Sequence, residues 1–477
     1  MTDGGGTGRR DGGRSHDRST TTRRSLLRRG TAGSLALAGL SASGGLAGAT
    51  DDGPAEVTLS FEDQTTDGRE VVISELTATR DVRVIVATDG HETTYARREL
   101  AAGSHSDHTV SLDALLTEDL LLEVSVYPSG GGQALAMDKA RITVSEDVTF
   151  VDGIPVTRVD ADPDAGFHYP YFLSAPQSTE RDAGGPVLVE PNNTGTSSDD
   201  FEMHVDRARK LAEGEWNGGS GRTLSERLAV PFLVPAFPRP ESDPVDWRHY
   251  VHQLDTETMR IDDGPLERVD RQLVAMVEDA RERLHEQSYP VAEDGMMLNG
   301  FSASGNFVNR FAALQPEEVV SVTAGGINGM ALLPVAEAKG HTLNYQIGVA
   351  DVEALTGEPF DLAAFREVNQ FLYMGALDTN DTLPYGDAWS ETQQEIALDV
   401  YGPNMQRDRL PFCKSVYEDV DASAAFKIYV GEGHTPIPAI DDMVEFHRAS
   451  MAGESIDGFG GNVGESDGGE GAVPGDD

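Results

Sequence analysis

Two patterns of apolar positions divide the chain. From Glu56 to about Val144 the period is two: Val57, Leu59 and Phe61 alternate with polar residues. Short apolar runs follow at Val71–Ile73, Val82–Val86, Leu120–Val126 and Ala140–Val144, with Asp67-Gly68 and Asp89-Gly90 turns between them. Such spacing predicts a small all-β sandwich over 55–146. From Thr157 to Met451 strand-like and helix-like runs alternate. Val187–Val189 reads as a buried strand, and Leu228–Val234 as another running into a proline-rich stretch. Residues 266–287 read as a helix with Val269, Leu273, Met276 and Val277 on one face. Met296–Leu298, Val319–Thr323, Phe371–Met374 and Phe426–Val430 complete the set. This predicts an α/β domain over 157–451, its mostly parallel sheet covered by helices on both faces. In such sheets the chemistry sits where strands end and loops begin.

Both flanks break the pattern. Eight arginines and three aspartates precede residue 50. Among them Thr22-Arg23-Arg24-Ser25-Leu26-Leu27-Arg28 forms a twin-arginine signature, followed by an apolar, small-residue stretch from Thr31 to Leu46 and then Ala47-Gly48-Ala49. Residues 1–49 therefore read as a signal peptide of the twin-arginine (Tat) type, which exports folded proteins. Its core falls short of the ~20 strongly apolar residues of a membrane span, so no transmembrane anchor is expected in the mature chain. No cysteine stands at its expected cleavage point, so no lipoprotein anchor is expected. Residues 453–477, with seven acidic residues and nine glycines, read as a disordered tail.

Charge sharpens the picture. Asp plus Glu number 81 against 37 for Lys plus Arg, a net charge of −44, and only five of the 37 are lysine. A phosphate backbone or an anionic membrane surface would be repelled, which argues against nucleic-acid and membrane-surface partners. The balance suits concentrated salt, where ions screen self-repulsion, and reads as that of a secreted halophilic archaeal protein. Cys413 stands alone, excluding an intrachain disulfide and a cysteine-built metal site. No metal or cofactor is expected.

The chemistry concentrates in three loops. Gly300-Phe301-Ser302-Ala303-Ser304-Gly305 lies between a predicted strand and a predicted helix, as a nucleophile elbow requires. The turn needs small residues on each side of the serine, and the helix start aims free N–H groups at the reacting oxygen. The motif alone says little, since Gly39-Leu40-Ser41-Ala42-Ser43-Gly44 nearly repeats it inside the signal segment. Context selects Ser302, with Ser304 as its competitor. A triad in the order Ser, acid, His then leaves His341, His434 and His447. His341 precedes the acid candidates, and His447 reads as a surface residue of a helix. His434, in Gly431-Glu432-Gly433-His434, is favoured. The acid should follow the strand Phe371–Met374. Asp378 is favoured and Asp381 is the alternative; the Asp and Asn cluster lacks the spacing of a calcium loop. His434 would deprotonate Ser302 while Asp378 fixes its tautomer.

With the elbow, Gly375-Ala376-Leu377-Asp378-Thr379-Asn380-Asp381 and the His434 loop spaced 76 and 56 residues apart, residues 157–451 resemble an α/β-hydrolase. The resemblance is to the esterase, dienelactone-hydrolase and polyhydroxyalkanoate-depolymerase-like branch. It implies a serine hydrolase acting on small or polymeric carboxylic esters, with the Ala303 N–H as one oxyanion donor. The usual His-Gly oxyanion loop is absent. Pro191-Asn192-Asn193-Thr194-Gly195 takes its place, and Asn193, by backbone or amide, is the candidate second donor. The β segment resembles a haloarchaeal domain of unknown function, through its Asp63–Gly68 and Glu99–His105 stretches, which implies an accessory module able to associate with the cell surface. Segment 332–368, with a possible strand at Leu343–Val349 and a helix near Leu362–Val368, reads equally as part of a cap over the pocket or as a surface excursion. Two other readings share the sequence: a serine peptidase of the prolyl-oligopeptidase kind, against which the absence of a propeller speaks, and a non-catalytic surface-binding protein on a hydrolase scaffold.

Asn192 and Asn380 head N-x-S/T sequons in loops placed beside this site. Neither is expected to carry a glycan, which would block substrate. Intact-mass measurement of native protein reads this directly, and a glycan at either position would count against the site.

Overall fold

The computed structural model describes residues 56–89, 91–176 and 184–463; the signal segment and the end of the expected tail lie outside the described residues. Strands Val57–Ser60, Glu70–Ala78 and Gly103–Ser111 make a three-stranded antiparallel sheet. A five-stranded sheet faces it, in the order Gln64–Thr66, Ala136–Val144, Leu120–Pro128, Val82–Thr88, Thr94–Leu100. The period-two residues Val71 and Ile73 of one sheet and Val82, Val84, Val86, Leu122, Val124 and Val126 of the other form a shared core. Burying each such side chain contributes roughly 1.5–3 kcal/mol.

The second part is built on a nine-stranded sheet. Its order is Ala424–Tyr429, Asn369–Gly375, Val319–Gly325, Val291–Phe301, Gly185–Val189, Phe232–Pro235, Tyr171–Ser174, Ile154–Val159, Val148–Val151. The first six are parallel to their neighbours, and the last three pair antiparallel. The sheet thus reaches back to Val148, through a hairpin whose Asp152 and Gly153 both have positive φ (52° and 77°), as a two-residue turn between twisted strands requires. Helices Phe201–Ala212, Ser220–Leu228 and Ile440–Ala452 pack on one face. Val269–Glu286, Ala303–Leu314 and Leu410–Asp419 pack on the other. A parallel sheet with an antiparallel flank, helices on both faces and one exchanged strand pair is the α/β-hydrolase architecture.

Several expectations need correction. Leu228 closes a helix, and the strand begins only at Phe232. The expected tail stays packed through Val463, because Ile456 and Val463 are buried and the intervening backbone joins the sheet edge, with Ile428 N–H donating to the Gly461 carbonyl at 3.2 Å. His447 is fully buried, not on the surface, bonded to Ser321 Oγ (2.8 Å) and Thr323 Oγ1 (3.2 Å); the strand beneath its helix offers hydroxyls where the helix turns inward. Segment 332–368 contributes no residue to the cleft described below, and its surface stretches at 335–342 and 353–364 flank a buried centre. It holds a two-residue-strand hairpin (Glu337–Ala338 with His341–Thr342), no strand at Leu343–Val349, and buries Leu343, Tyr345 and Ile347. It buttresses neighbouring loops instead: Tyr345 Oη donates to the Leu254 carbonyl (2.7 Å) and Gln346 Nε2 to that of Ala388 (2.6 Å).

Burial holds both His447 and His252 down at about 3, since neither can carry charge away from water. Unfolded, each returns to about 6.5, so the unfolded chain binds more protons below that pH and stability falls on acidification. The contribution of each of these two histidines should therefore be constant above about pH 6.5 and decline by up to ~1.4 kcal/mol per pH unit below it. Chemical denaturation at fixed salt between pH 7.5 and 5 measures the slope, which His447→Gln should reduce; an unchanged slope would refute the assignment.

Candidate active site

The central strand Val291–Phe301 turns into helix Ala303–Leu314 at Ser302, whose φ of 62° and ψ of −120° lie outside the regions a side-chain-bearing residue favours. Small neighbours make this turn sterically feasible. A Cβ on Gly300 would sit 2.3 Å from the Ser304 carbonyl oxygen, and one on Gly305 would sit 2.6 Å from that of Gly325. Ser304 is spent locally: its buried Oγ donates to the Phe301 carbonyl and accepts from the Phe301 N–H, both at 3.0 Å. Of the two serines, only Ser302 lines the adjoining cleft.

His434 lines the same cleft, on the loop after strand Ala424–Tyr429. Its Nδ1 lies 2.8 Å from Oδ2 of buried Asp378, whose other oxygen accepts the Asn380 N–H at 2.9 Å. Asp381 is committed elsewhere, in a two-pronged ion pair with buried Arg409 at 2.9 Å per contact. His341 faces Asp399 at 3.3 Å and does not line the cleft. The imidazole Nε2 is 3.2 Å from Asn380 Nδ2, so the Asn380 amide caps the nitrogen that faces the cleft.

Two glycines bring these loops together; Gly375 stood in the acid-loop motif, whereas sequence reasoning passed over Gly326. Gly326 has φ 62°, and a Cβ there would lie 2.8 Å from the Phe301 ring and 2.9 Å from His434 Cε1. A Cβ on Gly375 would meet the Gly433 carbonyl oxygen at 2.2 Å, so the acid and histidine loops cross with no room for a side chain. The Gly325-Gly326 pair ending a predicted strand was the available signal. Phe301 packs against the imidazole with ring centroids 4.6 Å apart.

Ala303 and Asn193 complete the predicted set in the cleft. Ala303 opens the helix, where the first N–H groups have no partner one turn back. Asn193 Nδ2 donates to the Phe301 carbonyl at 3.2 Å, which commits one of its two amide hydrogens. Its loop is pinned by Asn192, whose side chain bonds the Phe237 backbone in both directions (2.8 and 3.1 Å), and by Tyr250 Oη, which donates to the Thr194 carbonyl at 2.5 Å. Asn192 is thus buried and bonded rather than open to modification. The cleft encloses about 500 Å³ and is lined also by Arg239, Gln253 and Asp387, which no motif announced. Among the described residues no cluster of three or more His, Cys, Asp or Glu is placed to hold a metal ion. Cys413 is buried, and burial pushes its thiol up to about 12, away from reactivity.

The chain matches no protein-family model and no curated protein. Solved structures similar to it include an S-formylglutathione hydrolase from Agrobacterium tumefaciens, 12% identical with a TM-score of 0.38, over 64% of this chain and 98% of that one. A thermostable esterase is 14% identical with a TM-score of 0.34, over 83% and 99%. Est1E from Butyrivibrio proteoclasticus is 12% identical with a TM-score of 0.31, over 62% and 99%. Likenesses this distant decide nothing about the chemistry of this chain.

Gly326→Ala forces a Cβ between two rings at a backbone angle that disfavours it, and should destabilise the fold by about 1–3 kcal/mol. Denaturant titration checks this; a neutral result would show that the Phe301–His434 contact is loose.

Proposed function

We propose that this chain is a serine esterase, exported folded into concentrated salt, which cleaves carboxylic esters through an acyl-enzyme. The observation that carries the reading is a single cleft lined by Ser302, on a strained strand–helix elbow, and by His434, whose far nitrogen is 2.8 Å from a buried carboxylate. The twin-arginine segment and the net charge of −44 support export and salt tolerance. The amino-terminal sandwich would serve as a surface-associating accessory module.

In this reading Asp378 accepts the Nδ1 proton of His434, leaving Nε2 unprotonated toward the cleft. Asn380 releases Nε2, which takes the Ser302 proton as Oγ attacks the ester carbonyl carbon. Negative charge gathers on the carbonyl oxygen, at the helix N-terminus, where the Ala303 N–H and a donor from the Asn193 loop stabilise it. Collapse breaks the bond to the alcohol, which leaves with the proton from His434. Water then attacks the acyl carbon as its proton passes to His434; the bond to Ser302 Oγ breaks, His434 returns the proton to Oγ, and the acid departs.

A fluorophosphonate probe should label the mature protein in high salt and fail to label folded Ser302→Ala. His434→Ala and Asp378→Ala should lower kcat on p-nitrophenyl acetate by roughly 10³-fold or more. Folded wild type that neither labels nor hydrolyses would sink the esterase reading in favour of a binding role.

A further inference from the structure

One wall of the cleft carries polar groups whose hydrogen-bonding capacity is not filled by the fold or by the proposed chemistry. Gln253 is 3% exposed, and its Oε1 is buried with no hydrogen-bond partner among the described residues. Its backbone is held rigidly, since Arg310 Nη1 donates to the Gln253 carbonyl at 2.7 Å. Arg239 is 5% exposed, and its guanidinium carbon stacks 3.4 Å from the centre of the Tyr250 ring. Its hydrogen bonds go to carbonyls at long range, Thr194 at 3.3 Å and Trp247 at 3.4 Å, while Nε has no partner. Each buried polar atom left unpaired costs about 1–3 kcal/mol. Asp387 lines the same cleft and lies near enough to Arg239 to favour its charge. Trp216 stands at the rim, 36% exposed.

Three substrate chemistries compete for this wall. A hydrocarbon chain would cover the unpaired groups without satisfying them. A carboxylate would suit Arg239 but face Gln253 Oε1, which can only accept, and the Asp387 carboxylate. A hydroxyl both donates and accepts, so it can give its proton to Gln253 or Asp387 and receive from Arg239. One hydroxyl cannot serve all three, whereas neighbouring hydroxyls on a ring can. The indole at the rim offers an apolar face to the C–H face of such a ring. A cleft of about 500 Å³ has room for a sugar residue and its ester.

We propose that the ester substrate is polyhydroxylated, a sugar ester bound against Gln253, Arg239 and Asp387. This rests on the esterase reading of the same site and names its substrate class. The test compares glucose carrying one acetyl group on its exocyclic oxygen with cyclohexylmethyl acetate, which has the same ring size and ester without ring hydroxyls. Wild type should favour the sugar ester in kcat/KM by about 100-fold, since sites built to bond hydroxyls reject analogues lacking them. Gln253→Leu should cut the sugar ester's kcat/KM by about tenfold and narrow the ratio, with the fold checked by circular dichroism; Asp387→Asn provides a second reading should Gln253→Leu fail to fold. Fluorophosphonate labelling of wild type separates the two levels. Labelled enzyme that does not prefer the sugar ester, or whose preference survives both substitutions, overturns the substrate assignment and leaves the esterase reading standing. Unlabelled enzyme that cleaves neither ester overturns both.

Discussion

The site depends on backbone crossings that exclude side chains. Three loops from different strand ends converge around the cleft that Ser302 lines, and each meets its neighbour at a glycine. Gly300 clears the Ser304 carbonyl, Gly305 clears that of Gly325, Gly326 separates the Phe301 and His434 rings, and Gly375 clears the Gly433 carbonyl. A β-carbon at any of these points would push one loop outward by a large fraction of a hydrogen-bond length. The strained backbone at Ser302 persists because its surroundings leave it no alternative: helix 303–314 is buried from Ala303 through Ala313, and the Ser302 N–H is held by the Gly325 carbonyl at 2.8 Å. Strand pairing on both sides of Val291–Phe301 makes that frame rigid.

Charge is divided between surface and interior by residue type. The acidic excess is solvated, whereas among the described residues the buried cations are arginines, several of which bind carbonyls and carboxylates with planar geometry. Arg310 holds the Gln253 carbonyl, Arg409 clamps Asp381 and the Gly402 carbonyl, and Arg239 lies over Tyr250. Lysine would bring a compact, strongly hydrated charge to such positions at a higher desolvation cost. The Asp378 and Asp381 carboxylates show the consequence within one loop. The first meets an imidazole at the cleft, and the second is neutralised by a guanidinium that fixes the loop's path.

Much of the fold was legible because both periods are strong. Alternation at 71–86 and 120–126 marks sandwich strands, and Val269, Leu273, Met276 and Val277 mark a long helix. Misreadings arose where tertiary contact overrode local pattern. His447 looked solvent-facing on a helix of mixed polarity, but hydroxyls of Ser321 and Thr323 on the strand beneath make a buried imidazole tolerable. Ile456 and Val463 are single apolar residues among glycines and acids, too sparse to show a period, yet enough to seat the chain on a sheet edge. In the site, the elbow, acid and histidine candidates came from motif order, and two of them, Ser302 and His434, line one cleft. Arg239, Gln253 and Asp387 could not be read this way, because a wall assembled from three loops leaves no spacing in the chain.

The loop that replaces the usual His-Gly turn shows how the site can be completed by other means. Thr194 N–H donates to His252 Nδ1 at 3.3 Å and is therefore committed within the loop, next to Asn193, the residue proposed as oxyanion donor. His252 Nε2 lies 2.8 Å from the Phe237 carbonyl, an acceptor, which fixes the proton on Nε2 and the lone pair on Nδ1. Asn192 bonds that same Phe237 backbone, and Tyr250 and Arg239 both bond the Thr194 carbonyl. Where a glycine turn would reach its position by conformational freedom, this loop is held from behind by a neutral imidazole, an amide, a phenol and a guanidinium. Protonating His252 would turn its Nδ1 from acceptor to donor and set two N–H groups against each other. The burial that keeps this histidine neutral is therefore also what keeps Asn193 facing the elbow.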